Sequence, residues 1–255
     1  DMPMSAWWTW VLGALAVDFA YYWYHRLSHR VNLFWATHAV HHQSEEYNLS
    51  VALRQPWFSN VYSWIIYLPL AVLGVPLEVF VTTFAFNLLY QFWIHTETID
   101  RMGTVFEWIF NTPSHHRVHH GTNPEYVDKN YAGILIIWDR MFGTFQVEVD
   151  RPLYGTLKPL RSWNAAWANV QPWVSLAKAS ASQERWVDRL KIWFKPPGWT
   201  SEGETDPAEL FDGDDRGYDV DEAPGNHAYI FINLAIMGTI LGVMLTFESQ
   251  IPYLY

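Results

Sequence analysis

The sequence predicts an all-α fold: an integral-membrane helical bundle of about four spans, including a short hairpin, with a helical cap on the cytosolic side. Three observations predict it. Three apolar blocks approach the length of a bilayer crossing, aromatic residues are abundant, and histidines recur at helical spacing beside the apolar blocks. Half of the 255 residues are hydrophobic and 18% are aromatic, with 16 Trp. Trp and Tyr gather where an apolar ring must sit beside wet headgroups.

Residues 6–24 are apolar except for Asp18 and reach about 28 Å as a helix, close to the hydrocarbon thickness of a bilayer. The next block, 61–94, is broken at Gly74-Val75-Pro76. At about 51 Å it is too long for one span and slightly short for two, so a hairpin of two short helices turning at Gly74–Pro76 fits it. Residues 228–247 are uncharged throughout and form the last span. A soluble helical protein can bury one such segment; three argue against that alternative. Residues 130–147 read as a hydrophobic segment lying in the membrane interface, and 163–199, with six Trp among basic residues, as amphipathic helices at the headgroups.

The expected organisation is therefore a membrane-embedded core over 1–150 and Trp-rich interfacial helices over 151–200. An acidic linker over 201–226 and a C-terminal span over 227–255 complete it. The formal charge of −10 is concentrated at residues 202–222, which hold ten acids and one base and read as a solvated linker. No basic stripe supports nucleic-acid binding. The absence of cysteine excludes disulfides, thiolate zinc sites, iron–sulfur clusters and cysteine nucleophiles. The start, Asp1-Met-Pro-Met-Ser5, has no basic region or cleavage site of a signal peptide, and predicts that the chain begins partway through a longer protein.

Ten of the eleven histidines fall between residues 25 and 120. His25 and His29 are an i, i+4 pair, which puts both imidazoles on one helical face. His38, His41 and His42 form a group spaced i, i+3, i+4, and His116, His119 and His120 repeat it. Neutral imidazole is the commonest metal ligand and suits zinc, copper, iron or nickel. Eight such nitrogens exceed what one ion uses, so the cap is expected to hold a histidine-rich di-metal site. Neither Glu-x-x-His nor His-Glu-x-x-His occurs, which argues against carboxylate-bridged bundles and against zinc peptidases of that type.

Shared ions require the groups at 38–42 and 116–120 to lie on one side of the membrane, and a returning hairpin over 61–94 satisfies that. Arg26, Arg30, Arg54, Arg101, Arg117 and Lys129 fall on the same side, which the positive-inside rule makes cytoplasmic. His95 ends the hairpin at this face and is expected as a ligand or near-ligand. His115 points about 100° away from His116 if helical, toward an outer position or solvent. His227 opens the last span and is expected to be incidental. Asp18 shares a helical face with residues 22, 25 and 29, and an acid inside a span is a functional candidate. Its expected role is to accept a ligand's ring N–H; a local hydroxyl or salt contact is the alternative.

On these motifs the chain resembles the fatty acid hydroxylase / sterol desaturase superfamily, whose pattern is His-x3-His, His-x2-His-His, His-x2-His-His. Over roughly residues 14–150 it looks most like the alkylglycerol monooxygenase branch and its bacterial relatives. The carriers are His41-His-Gln-Ser-Glu-Glu-Tyr-Asn-Leu-Ser50, Ala52-Leu-Arg-Gln55 and Asn111-Thr-Pro-Ser-His-His-Arg-Val-His-His-Gly121. Asp128-Lys-Asn-Tyr131 and Phe142-Gly-Thr-Phe145 extend them, with a weaker similarity at Pro197-Gly-Trp199. The resemblance implies two iron ions, dioxygen as co-substrate and a lipid substrate held in the bilayer. It carries ligand roles to His25, His29, His38, His41, His42, His116, His119 and His120, with His95 beside them. In that branch the electron donor is tetrahydrobiopterin, and Glu45 is placed on the cofactor side; Glu45 and Glu46 read equally as an acid pair at a helix start.

No Gly-x-Gly-x-x-Gly, flavin or haem-attachment motif is present, so electrons must come from a separate donor, a tetrahydropterin or an electron-transfer protein. The leading expectation is a lipid monooxygenase. A sterol or fatty-acyl desaturase differs from it only in removing a second hydrogen, and a histidine-rich metal transporter would need ligands strung along a pathway instead of gathered at one face.

Overall fold

The computed structural model describes residues 2–211, 213, 217–219 and 225–247, and the acidic stretch at 201–226 therefore falls partly outside the described residues. The secondary structure is almost wholly helical. The helices are α1 (Trp7–Arg30), α2 (Asn32–His42), α3 (Leu49–Ala52), α4 (Ser63–Val72), α5 (Leu77–Trp93), α6 (Thr104–Ile109), α7 (Pro113–His120) and α8 (Ile137–Phe142). They continue with α9 (Ala165–Ala181), α10 (Trp186–Lys191), α11 (Pro207–Leu210) and α12 (Asn226–Phe247). The described strands, β1 (Trp199–Thr200) and β2 (Gly203–Glu204), pair antiparallel.

The chain divides into two compact units, residues 1–217 and 218–255. In the first, α1 packs against α2, α4 and α5. Val17 and Ala20 of α1 meet Tyr67 and Leu70 of α4 and Val79 of α5 in one apolar cluster. Gly13 permits this approach, because a Cβ there would sit 2.5 Å from Val79 Cγ1. The turn between α4 and α5 falls at Gly74, whose φ of 79° suits glycine. The outer faces stay apolar: Val72, Leu77, Phe86 and Leu89 are all well exposed. Exposed large apolar side chains in this number suit a surface that contacts protein or lipid.

The four-span expectation meets a length limit here. Among the described residues, one helix, His227–Phe247, is long and apolar enough to cross a bilayer by itself. It lies in the second unit, and none of its hydrophobic window is buried. With ten residues, α4 reaches only about 15 Å, half the hydrocarbon thickness.

The segment 130–147 departs from its expected interfacial position. Tyr131, Ala132, Ile136 and Asp139 are each at most 1% exposed, so its first half runs through the interior, while Met141 and Val147 are exposed. Its apolar run, Ala132-Gly-Ile-Leu-Ile-Ile137, is compatible with either place. What draws it inward is polar: Asn111 Nδ2 donates to Ala132 O at 2.6 Å, and Ile134 N donates to Asp18 Oδ1 at 2.8 Å. The amphipathic region does form helices, α9 and α10. Trp173, Trp193 and Trp199 pack with Leu176 and Ile192 around Ala36 of α2, while Trp163 and Trp186 stay exposed.

Candidate metal centre

Nine imidazoles converge in the first unit, supplied by α1, α2, α7 and the residue after Ile94 that ends α5. They fall into two groups, in each of which the ligand atoms lie within 4.8 Å of one another. One holds His25, His29, His38, His42 and His119; the other holds His41, His95, His116 and His120. All nine are buried. The groups adjoin, since the rings of His42 and His120 stack with centroids 4.3 Å apart.

Helix geometry explains how each sequence motif divides between the groups. Positions i and i+4 differ by about 40° around the axis, whereas i+3 lies about 100° from i+4. On α2 the pair His38 and His42 accordingly serves the first group and His41 the second. On α7 the pair His116 and His120 serves the second and His119 the first. Each His-x2-His-His motif thus spans both groups, and the two helices serve them in opposite proportion.

Hydrogen bonds fix several rings from behind. A carbonyl can only accept, so His25 Nδ1–H donates to Tyr131 O at 2.8 Å and His119 Nδ1–H to Lys129 O at 2.9 Å. His95 Nδ1–H donates to Gln91 O at 2.7 Å. His29 Nδ1 lies 3.6 Å from Asp128 Oδ1. In His25, His95 and His119 the proton is therefore on Nδ1 and Nε2 carries a lone pair aimed inward, the arrangement metal-binding histidines use.

The inward nitrogens cannot satisfy one another. In the first group, His25 Nε2 is 3.1 Å from His38 Nε2, which is 3.2 Å from His42 Nε2, itself 3.2 Å from His119 Nε2. His25 and His119 contribute lone pairs, so at most two protons serve three contacts. In the second group His95 Nε2 stands 3.3 Å from His41 Nε2 and 3.0 Å from His116 Nε2. His29 Nε2 and His120 Nε2 are buried without a hydrogen-bond partner. Uncompensated buried nitrogens are costly, and a cation among them removes the cost. The donor set, imidazole without carboxylate or thiolate, fits a transition-metal ion in each group.

Burial also favours the neutral form of eight of the rings. It pushes His41 down to about 3 and His95 to about 4. His25, His38, His42, His116, His119 and His120 are held well below the usual imidazole value by burial, reinforced by neighbouring rings. Neutral imidazole is the form that binds metal.

Other sequence candidates fall elsewhere. Asp18 accepts hydrogen bonds from Asn87 Nδ2, Ile134 N, Leu135 N and Trp138 Nε1, and none from an imidazole. The expected contact with a ligand ring is corrected accordingly: seven residues of helix put Asp18 about 10 Å from His25 along the axis. Glu45 is half-buried in the loop after α2, beside Gly155 and Gly217. It does not start a helix, because Asn48 caps α3 by accepting from Ser50 N. His115 joins neither group and is buried against Phe145, which excludes the solvent position. His227 lies exposed on α12 and belongs to neither group.

The carbonyls of Gln91, Lys129 and Tyr131 and the carboxylate of Asp128 escape sequence reasoning, since any residue offers a carbonyl. One signal was present. Asp128 and Asn130 adopt φ of 61° and 55°, and an Asp-x-Asn run is a frequent occupant of that left-handed region.

A cavity of about 820 Å³ opens on His29, His42, His119 and His120, and so reaches both groups. Trp35 and Trp199 line it together with Arg26, Lys129 and Lys158 and the acids Asp128 and Glu204, giving walls of mixed apolar and charged character. Its size is that of a small-molecule site.

The chain belongs to the Fatty acid hydroxylase family, whose model matches residues 10–144, the stretch that carries all nine imidazoles. Among curated proteins it is 49% identical over 199 residues to an alkylglycerol monooxygenase from Xenopus tropicalis, covering 78% of this chain and 44% of that one. It is 45% identical over 242 residues to an alkylglycerol monooxygenase from Danio rerio, covering 93% and 54%. An ornithine lipid hydroxylase from Rhizobium tropici is 32% identical over 136 residues, covering 53% and 41%. The chain spans about half the length of the alkylglycerol monooxygenases it matches. No solved structure matches it. The family and the apolar helix His227–Phe247 together indicate association with a membrane.

Proposed function

We propose that the protein is a membrane-bound di-iron monooxygenase that hydroxylates a lipid C–H bond with dioxygen and an external reductant. The observation that carries this reading is the pair of adjoining imidazole groups, with lone pairs aimed inward, in a chain of the Fatty acid hydroxylase family. His25, His29, His38, His42 and His119 would hold one ion, and His41, His95, His116 and His120 the other. A bound iron pair supplies dioxygen activation and removal of hydrogen from an unactivated carbon.

The chain's own residues supply the rest. Carbonyls behind His25, His95 and His119 fix ring orientation before any ion binds. Burial of all nine rings limits their contact with water, which suits an oxidising centre that must not waste reducing equivalents. In this reading residues 1–150 are the hydroxylase core, 151–200 cover it at the interface, 201–226 link, and 227–255 anchor. The hairpin α4–α5 enters the bilayer and returns, which keeps the metal groups on the cytoplasmic side with Arg26, Arg30 and Lys129. The 820 Å³ cavity is the route by which a tetrahydropterin or an electron-transfer protein delivers electrons. Glu45, on the loop that follows the metal-binding α2, stands on that cofactor side. The alkylglycerol monooxygenases it resembles favour an ether lipid as substrate.

Reconstitution with membrane lipids, ferrous iron and a tetrahydropterin or reductase under labelled dioxygen tests the proposal. The expected product carries one labelled oxygen. With an ether lipid, hydroxylation beside the ether oxygen gives a hemiacetal that collapses to a fatty aldehyde and free glycerol, trapped by rapid reduction to the alcohol. A product two hydrogens lighter and without label is the outcome of a desaturase. Unchanged lipid with every donor, while two metals stay bound, contradicts the oxygenase reading.

A further inference from the structure

Two buried carboxylates grip one short stretch of backbone. Asp139, 0% exposed, accepts from Tyr131 N and Ala132 N, both at 2.8 Å, and from Thr144 Oγ1 at 2.6 Å. Asp18, 2% exposed, accepts from Ile134 N at 2.8 Å and Leu135 N at 3.0 Å. Among the described residues neither forms an ion pair. Between the two grips lies Gly133, where a Cβ would meet Asn87 at 2.9 Å and Asp18 at 3.0 Å, so the backbone is pressed against its holders. Asn130 closes the other end, donating to His115 O at 3.0 Å and Gln146 O at 2.7 Å.

The clamped stretch meets only one of the two imidazole groups. Tyr131 O accepts a hydrogen bond from His25 Nδ1–H and Lys129 O from His119 Nδ1–H, and Asp128 faces His29 through Oδ1 while its Oδ2 pairs with Arg30. Three of five rings in the first group are thus backed by residues 128–131. In the second group the corresponding anchor is the Gln91 carbonyl behind His95. His116 Nδ1 and His41 Nδ1 make no hydrogen bond, although the carbonyls of Arg54 and Val51 lie near His41.

We propose that Asp139 and Asp128 are positioning residues for the five-histidine group alone, and that the 128–135 clamp makes the two ions unequal, the five-histidine ion being held more tightly. Ligand number points the same way, five imidazoles against four. Asp139 acts by fixing the carbonyl of Tyr131, and Asp128 by orienting His29. Loss of such outer partners lowers metal affinity by about 10–100-fold. The effect is confined here to one ion because no residue of 128–131 backs a ring of the other group.

The inference rests on the two-ion reading, and a chelator competition on the iron-loaded protein separates the two. Wild-type protein is expected to show two resolved affinities, of which the tighter is lost in His25→Ala. Asp139→Ala is expected to weaken that affinity by about 10–100-fold and to leave the weaker one within about threefold. Asp128 is partly exposed, so Asp128→Ala spares the core, and it should do the same even if Asp139→Ala does not fold. A merely structural role would weaken both ions together. Equal weakening of both affinities, or no change in either, overturns the proposal. Fewer than two ions on the wild-type protein overturns the two-ion reading and this inference with it.

Discussion

Replacing His41 or His119 with alanine is expected to abolish lipid oxidation and to lower bound metal in the same variant. The two residues test different groups, since His41 belongs to the four-histidine set and His119 to the five-histidine set. Each substitution removes a donor from a buried position: His41 is 7% exposed and His119 is 3% exposed. Loss of a direct ligand should exceed the roughly 100-fold upper range for loss of an outer partner. His227→Ala, on the exposed helix of the second unit, should retain metal and turnover near the parent level. Metal analysis beside a turnover assay reads both effects. Full metal occupancy in either ligand variant would contradict the assignment.

The second large effect is on the metal-free protein in acid. Imidazoles held below their ordinary value of 6.5 bind fewer protons in the folded chain than in the unfolded one. Their contribution to stability is fully present above about pH 6.5, and is lost progressively as pH falls toward about 4 for His95 and about 3 for His41. Each such group costs about 1.4 kcal/mol per pH unit across that window. His41 and His95 alone would remove about 5 kcal/mol by pH 4.5, comparable with the whole stability of a marginal domain. Six further imidazoles are shifted the same way. Tryptophan fluorescence in detergent should show the metal-free protein losing its packing between about pH 6 and 5, and the loaded protein resisting to lower pH because protons must displace metal. A metal-free transition that does not move between pH 7 and 5 would mean the rings are solvated.

The part of the site that was legible in the sequence is the part that depends on local periodicity. His38 and His42, or His116 and His120, must share a face whatever surrounds them, and the glycine–proline break at 74–76 must turn the chain. His95 could be placed because it follows a returning hairpin. What stayed hidden depends on contacts between distant residues. Asp18 looks like a partner of His25 on a helical wheel, yet its hydrogen bonds go to residues about 70 to 120 positions away. Residues 130–147 look interfacial because an apolar run does not say whether lipid or protein covers it. Their true position is set by backbone amides, which every sequence possesses. The start of α4 was hidden too, because the apolar block begins at Val61 inside an irregular turn and the helix only at Ser63.

Metal content with X-ray absorption on the purified protein tests the central claim most directly. Nine imidazoles in two adjoining groups predict two ions per chain at saturation, with a first shell dominated by nitrogen at about 2 Å and multiple-scattering features of imidazole on both. The chain contains no cysteine, so no sulfur contribution is expected from it. One ion per chain at saturation, or a first shell without imidazole, would contradict the account.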